Sequence, residues 1–148
     1  VNTILLGADG FVHVANWKVL DYVSLPYMEK VLFAGEVMPV KQLNYCGEKI
    51  AGLLYANLYG PTEVTDICAY YIVDRDFADS ETLPIGRACD NCDLIILRED
   101  GTEAGTGEIG ELCVRGSFVA DGYYGDPDKS GCCFYPEPAE PMVSGEDI

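Results

Sequence analysis

The sequence predicts an α/β fold, with a parallel-sheet α/β portion followed by a small β-barrel-like portion, and three observations carry that prediction. Strand-length apolar runs alternate with helix-length amphipathic runs up to residue 60, the pattern of a parallel sheet with helical crossovers. A charged connector, Asp74-Arg75-Asp76-Phe77-Ala78-Asp79-Ser80-Glu81, then interrupts the apolar periodicity. Beyond it, short alternating strands are separated by repeated glycines and an Asp-Gly turn, which read as hairpins. The expected organisation is therefore residues 1–76 as α/β and residues 77–148 as a β-rich unit.

Taken in order, residues 3–6 read as a short buried strand and 7–10 as a glycine turn. Apolar residues at Phe11, Val12, Val14, Ala15, Val19 and Leu20 predict a helix over 11–20 with a wide buried face. Residues 30–36 form a second strand running into Gly35-Glu36, and a helix is expected from about Pro39, where a missing N–H does no harm. A third strand over 52–56 leads into Asn57-Leu58-Tyr59-Gly60-Pro61-Thr62-Glu63. Residues 67–73 are rich in β-formers, and strands are expected at 93–97 and 110–115.

Composition narrows the function classes. At 148 residues the chain is about one domain long, enough for a real core. Lys plus Arg total 9 against 25 Asp plus Glu, a net charge of −16. That balance repels nucleic acid and anionic membrane surfaces, so neither is expected as a partner. No apolar run reaches the roughly 18 residues of a membrane span, and the start, Val1-Asn2-Thr3, carries no basic signal region, so a cytoplasmic location is expected. The chain opens inside a strand and reads as a piece of something longer. Seven cysteines read as reduced thiols serving as small core residues. Cys89-Asp90-Asn91-Cys92 has zinc or redox spacing but lacks a matching second pair, so a metal or redox module is the weaker alternative. His13 is the sole histidine and has no obvious nucleophile partner, which leaves a catalytic triad unsupported.

The chemistry concentrates in the turn after the third strand. Open α/β sheets place ligands beyond the carboxyl ends of their strands. Gly60 admits close backbone approach and Pro61 fixes the turn. Thr62 offers a hydroxyl to a phosphate oxygen, and Glu63 offers hard oxygen to Mg²⁺. Gly35-Glu36 and Tyr59-Gly60 are expected at one carboxyl edge of the sheet, so that the two turns make a single site. With so few cations, a nucleotide could not be held here by a basic patch; Mg²⁺ and backbone donors would have to supply the attraction.

The heptapeptide Asn57-Leu58-Tyr59-Gly60-Pro61-Thr62-Glu63 resembles a core motif of the AMP-forming adenylation enzymes. The likeness is to the amino-acid adenylation domains of nonribosomal peptide synthetases and to D-alanine-activating ligases. Leu32-Phe33-Ala34-Gly35-Glu36-Val37 resembles the family's strand and Gly-Glu turn beside the adenine and acyl substrate. Leu83-Pro84-Ile85-Gly86 resembles the opening of the family's following subdomain. Gly107-Glu108-Ile109-Gly110-Glu111-Leu112-Cys113-Val114-Arg115-Gly116, then Gly122-Tyr123-Tyr124, resemble its Gly-Glu-Leu-x-Val-x-Gly segment and Gly-Tyr sequel.

The resemblance implies ATP/AMP and Mg²⁺ as cofactors. By it, Gly35, Glu36 and Gly60 border the nucleotide, Tyr59 stacks on adenine, Asn57 lies along the adenine edge, Thr62 meets the α-phosphate and Glu63 coordinates Mg²⁺. Leu32, Ala34, Leu58, Asp66 and Ile67 fall on substrate-pocket positions, where Asp66 would favour a substrate bearing an amine or another donor; a solvated loop carboxylate is the plainer reading of Asp66. The implied parent enzyme activates an amino acid or similar carboxylate as acyl-AMP and passes it to the phosphopantetheine thiol of a carrier protein. An acyl-coenzyme A synthetase-type ligase and a non-catalytic nucleotide- or partner-binding module are the alternatives.

Past Ser130 the likeness thins. The ribose-binding Asp of the family finds its nearest equivalent in Asp147 of Ser144-Gly145-Glu146-Asp147, with Glu146 as an inserted residue. No Ser/Thr/Gly-rich phosphate loop, upstream acidic motif or lid-domain Lys is found in these 148 residues. Adenylation depends on positioning and charge neutralisation, so this chain alone is expected to be catalytically incompetent.

Overall fold

The computed structural model describes residues 1–134. The expected ribose ligand Asp147 lies outside the described residues. Strand β1 (Thr3–Gly7) leads directly into helix α1 (Ala8–Asn16), and β2 (Lys30–Ala34) into helix α2 (Val40–Lys49). Strand β3 (Leu54–Tyr59) comes next, then β4 (Ala69–Ile72) and the two-residue β5 (Arg87–Ala88). These build a five-stranded sheet in the order β1-β2-β3-β4-β5. The first three strands are parallel, with Leu6 opposite Phe33 and Phe33 opposite Asn57. β3–β4 and β4–β5 are antiparallel. Strands β6 (Cys92–Leu97) and β7 (Glu111–Gly116) form a separate antiparallel pair, and helix α3 (Pro127–Cys133) is the last element among the described residues.

Alternation along the strands sorts side chains onto two faces. Phe33 and Val31 from β2 and Tyr55 from β3 point to the side covered by the helices. There they meet Phe11 and Ala15 of α1, Leu43 and Cys46 of α2, and Met38. Phe11 sits 5.6 Å from the Phe33 ring and edge-on to Tyr55 at 6.2 Å, geometries that aromatic pairs favour. Burial in this core pushes the Cys46 thiol up to about 11 and the Tyr55 phenol up to about 12, so both stay neutral. Leu32, Ala34 and Leu58 fall on the opposite face and are half-buried.

Several elements differ from the sequence expectation, each for a local reason. The turn expected at 7–10 is instead the start of α1, because Ala8, Phe11 and Ala15 lie on one helical stripe that the sheet buries and Asp9 in the first turn complements the helix dipole. That helix stops at Asn16 rather than continuing to 20; Lys18 is left-handed at φ 53°, and a 3-10 turn covers Val19–Asp21. The third strand begins two residues later than expected, after Gly52 turns at φ +82°, so that Asn57, Leu58 and Tyr59 are strand residues rather than loop residues. The sheet is mixed: β4 folds back antiparallel on β3.

The charged connector lies against the first sheet. Phe77 is buried, Asn44 donates to the Phe77 carbonyl at 3.0 Å and to Asp79 at 2.9 Å, and Pro39 bridges to Thr82. The chain between 77 and 88 therefore returns to the five-stranded sheet before β6 begins. The expected barrel-like unit is a two-stranded sheet, and no closed barrel forms among the described residues. Helix α3 has no counterpart in the sequence expectation; Pro127 occupies its first position and Asp126 caps it, accepting from the Lys129 amide at 3.0 Å, as helix starts favour.

Candidate functional site

The carboxyl ends of β2 and β3 lie side by side, because Phe33 and Asn57 are register partners in a parallel pair. That register also sets the two turns leaving these strands next to each other. Gly35 leaves β2 at φ +94°, a backbone region that excludes most side chains. A Cβ built there would meet nothing within 4 Å, so the space over Gly35 is open. Gly60 leaves β3 in the opposite circumstance. A Cβ there would lie 1.6 Å from the carbonyl oxygen of Asp66 and 2.8 Å from the Ile67 Cα. The chain folds back onto Gly60 so tightly that no side chain fits.

Between the two turns lies a groove of about 340 Å³. Gly35, Glu36, Asn57, Leu58, Tyr59 and Gly60 all line it, together with Val37, Met38, Pro61, Leu83 and Ile85. The two turns expected to form one site thus do come together. Among the described residues, no Lys or Arg lines this groove. The arginines are engaged elsewhere: Arg75 with Glu81, Arg98 with Glu108, Arg115 with Asp93, and Arg87 with the Tyr70 hydroxyl at 2.8 Å.

Asn57 is the buried polar residue of the described chain's core. Its amide donates to the Pro84 carbonyl at 2.9 Å, which ties the 83–85 segment down as one wall of the groove. The sequence marks Leu83-Pro84-Ile85-Gly86 as a motif but assigns it no site role. Gly86 turns at φ +86° with its Cβ position 2.0 Å from the Tyr70 carbonyl oxygen, so this segment is pressed against β4. Replacing Asn57 with Ala removes the donor that ties down the exposed Pro84 segment; we expect a loss of about 0.5–1.5 kcal/mol, the net value of one such hydrogen bond, measured as a lower denaturant midpoint.

The other candidates are distributed around the groove. Leu32 and Ala34 sit on the sheet face opposite the helices, in line with Leu58. Asp66 is exposed and Ile67 half-buried in the turn that returns to β4; neither lines the groove. Thr62 and Glu63 lie just past it, in a 3-10 turn spanning Thr62–Val64. Thr62 is exposed and Glu63 half-buried. Glu63 faces a second cavity of about 660 Å³, which it shares with Val64, Val114, Ala120, Asp121 and Tyr123.

That turn is held from the second half of the chain, through residues to which the sequence assigns no site role. The Tyr123 hydroxyl donates to Glu63 Oε1. The Ala120 amide donates to the Glu63 carbonyl at 2.8 Å, and Thr65 Oγ1 donates to the Phe118 carbonyl at 2.6 Å. The bond from Tyr123 holds the Glu63 carboxyl below the usual carboxylate range, and the same bond raises the Tyr123 phenol. An ionised Glu63 offers hard carboxylate oxygen, and Thr62, the residue before it in the same 3-10 turn, offers a hydroxyl. Mg²⁺ takes one or two such protein ligands and fills its remaining positions with water and phosphate oxygens, so this donor set fits that ion. Among the described residues no group of three or more His, Cys, Asp or Glu side chains could hold a metal alone.

A groove at the carboxyl edge of adjacent parallel strands, walled by glycine turns and an aromatic, is where open α/β proteins hold small ligands. The chain belongs to the AMP-binding enzyme family, whose sequence model matches residues 8–124. Over 123 residues it is 36% identical to the D-alanine–D-alanyl carrier protein ligase of Bacillus cytotoxicus (strain DSM 22905 / CIP 110041 / 391-98 / NVH 391-98), a match covering 82% of this chain. The chain spans 23% of the length of that relative. Its fold is similar to that of holo-PA1221, a nonribosomal peptide synthetase protein containing adenylation and PCP domains, with a TM-score of 0.79 at 26% identity. That match covers 89% of this chain and 23% of the other. The N-terminal subdomain of Klebsiella oxytoca NpsA shares the fold at a TM-score of 0.76 and 20% identity, over 89% of this chain and 33% of that one. No helix among the described residues is long and apolar enough to cross a membrane.

Proposed function

We propose that this chain carries the adenylate-binding edge of an ATP-dependent ligase that activates an amino acid as acyl-AMP for a carrier-protein thiol. The observation that carries the reading is the groove into which Gly35-Glu36 and Asn57–Gly60 converge, with Thr62 and Glu63 one turn beyond. In this reading Tyr59 stacks on the adenine, and Asn57, whose amide already holds Pro84, forms the edge of the base site. The open space over Gly35 takes the base or ribose without a side chain in the way. Leu32, Ala34 and Leu58 supply an apolar wall for the acyl group, with Asp66 and Ile67 at its mouth. Thr62 donates its hydroxyl to an α-phosphate oxygen, and Glu63 with Thr62 would hold Mg²⁺. The ion, when bound, would offset charge building on the α-phosphate as pyrophosphate leaves. The likeness to a D-alanine–D-alanyl carrier protein ligase and to a protein that joins adenylation and PCP domains supports a small amino acid as substrate and a carrier protein as acceptor.

Calorimetric titration with a non-hydrolysable aminoacyl-adenylate analogue and Mg²⁺ tests this directly. Base–aromatic stacking contributes about 1–3 kcal/mol, so Tyr59→Ala should weaken binding about tenfold or more. No heat of binding from the unaltered chain, under conditions where it is folded, would overturn the reading.

A further inference from the structure

The three bonds from residues 118–123 to the 62–65 turn converge on a strained place. Thr65 is β-branched and stands at φ 71°, a conformation such residues adopt only when their surroundings impose it. The bond from its hydroxyl to Phe118 and the one from Ala120 to the Glu63 carbonyl bracket Glu63 on both sides. Tyr123 completes the set from the side-chain direction. Its ring is located independently of Glu63. Phe134 packs edge-on at 5.5 Å, Lys129 Nζ lies 4.1 Å from the ring centroid, and the Tyr123 amide donates to Ser130 Oγ at 2.8 Å. All of those contacts come from α3 or its flank and none needs the Tyr123 hydroxyl. The hydroxyl, with the Cys133 thiol beside it, reaches the other way to Oε1 of Glu63. The adjacent Tyr124 is fully exposed, so the placement belongs to this side chain and not to the pair.

We propose that Tyr123 is the positioning residue that aims the Glu63 carboxylate at its cation, and that residues 118–123 are the strap by which the second half of the chain sets the geometry of the nucleotide turn. A phenol bound to Oε1 uses one carboxylate oxygen and fixes the plane of the group, leaving Oε2 as the ligand. That matches Mg²⁺, which demands near-octahedral geometry and is bound through only one or two carboxylates. Without the phenol the carboxylate keeps only its own backbone amide as a hydrogen-bond partner, and the ion must complete its ordering. This inference rests on the reading of Glu63 as a Mg²⁺ ligand given above.

Tyr123→Phe keeps the ring contacts to Phe134 and Lys129 and removes the hydroxyl that reaches Glu63. In calorimetric titrations of the full chain with the adenylate analogue over a series of Mg²⁺ concentrations, the variant should need about fivefold more Mg²⁺ for half-saturation. Its affinity for the analogue without Mg²⁺ should match that of the unaltered chain, a split that a merely structural role would not give. In a Glu63→Gln background the Tyr123→Phe change should have no further effect on the Mg²⁺ response, since the cycle then lacks the group being positioned. An analogue-binding chain whose Mg²⁺ response is the same with Phe at this position overturns the strap and leaves the nucleotide reading standing. Failure of the unaltered chain to bind the analogue at all overturns both.

Discussion

Replacing Phe33 with Ala should cost about 3–5 kcal/mol of folding stability, the range for deleting a fully buried aromatic ring. Phe33 is completely inaccessible, at 0% exposure, and it belongs to β2, which lies between two parallel neighbours. Its ring meets Phe11 on one side and joins the same cluster as Met38, Leu43 and Tyr55. The surrounding backbone cannot collapse into the space, because β1, β2 and β3 are fixed by their ladders and both helices are already seated. A natural domain is stable by about 5–15 kcal/mol in total, so much of that margin goes with one side chain. Urea unfolding followed by circular dichroism checks this through the midpoint, with Phe33→Leu as the milder comparison. A loss under about 1 kcal/mol would mean that the core relaxes far more than close-packed interiors normally do.

The same strand shows why the sequence is readable here. Val31, Phe33, Tyr55 and the stripe Ala8, Phe11, Ala15 carry their burial in their spacing, and the groove-forming turns carry theirs in glycine. The resemblance to a known motif locates Asn57, Tyr59, Gly60 and Glu63 together. Three features are not legible. The antiparallel return of β4 depends on which edge of β3 is free, and a run of β-formers at 67–73 does not encode direction. The start of α1 at Ala8 overrides two glycines whose turn-forming tendency is only local, while the stripe beside them is buried by the sheet. The strap is the third. Tyr123 and Glu63 are separated by 60 positions, and their contact depends on how the second half packs on the first, which no local pattern announces. The Gly-Tyr stretch is the available signal, and it points to a family segment without pointing to its partner.

Gly60→Ala should remove the site and destabilise the chain together, at the upper end of the about 1–3 kcal/mol that overpacking typically costs. Backbone dihedrals are not the cause, since Gly60 is not among the positive-φ glycines. Contact is. The added methyl would overlap the Asp66 carbonyl oxygen and carbon and the Ile67 Cα, at 1.6, 2.6 and 2.8 Å. All three atoms are backbone, so no rotamer change relieves the clash. The turn they belong to is closed by the Cys68 amide donating to the Tyr59 carbonyl at 2.9 Å, and that bond is the first rung joining β3 to β4. Relief therefore requires opening the rung or lifting the 62–66 turn. The first displaces Tyr59 and the second displaces Glu63. Gly35→Ala is the informative contrast. A methyl there meets open space, and its penalty is confined to φ +94°, so it should cost about 1–2 kcal/mol at most from the left-handed backbone while leaving the opposing turn undisturbed. Thermal unfolding paired with adenylate-analogue titration separates the cases: Gly60→Ala should lose both stability and binding, because one backbone contact holds the groove and the 62–64 turn in register. An alanine at Gly60 that melted and bound like the unaltered chain would show that the 59–68 return is not the rigid frame on which this site is built.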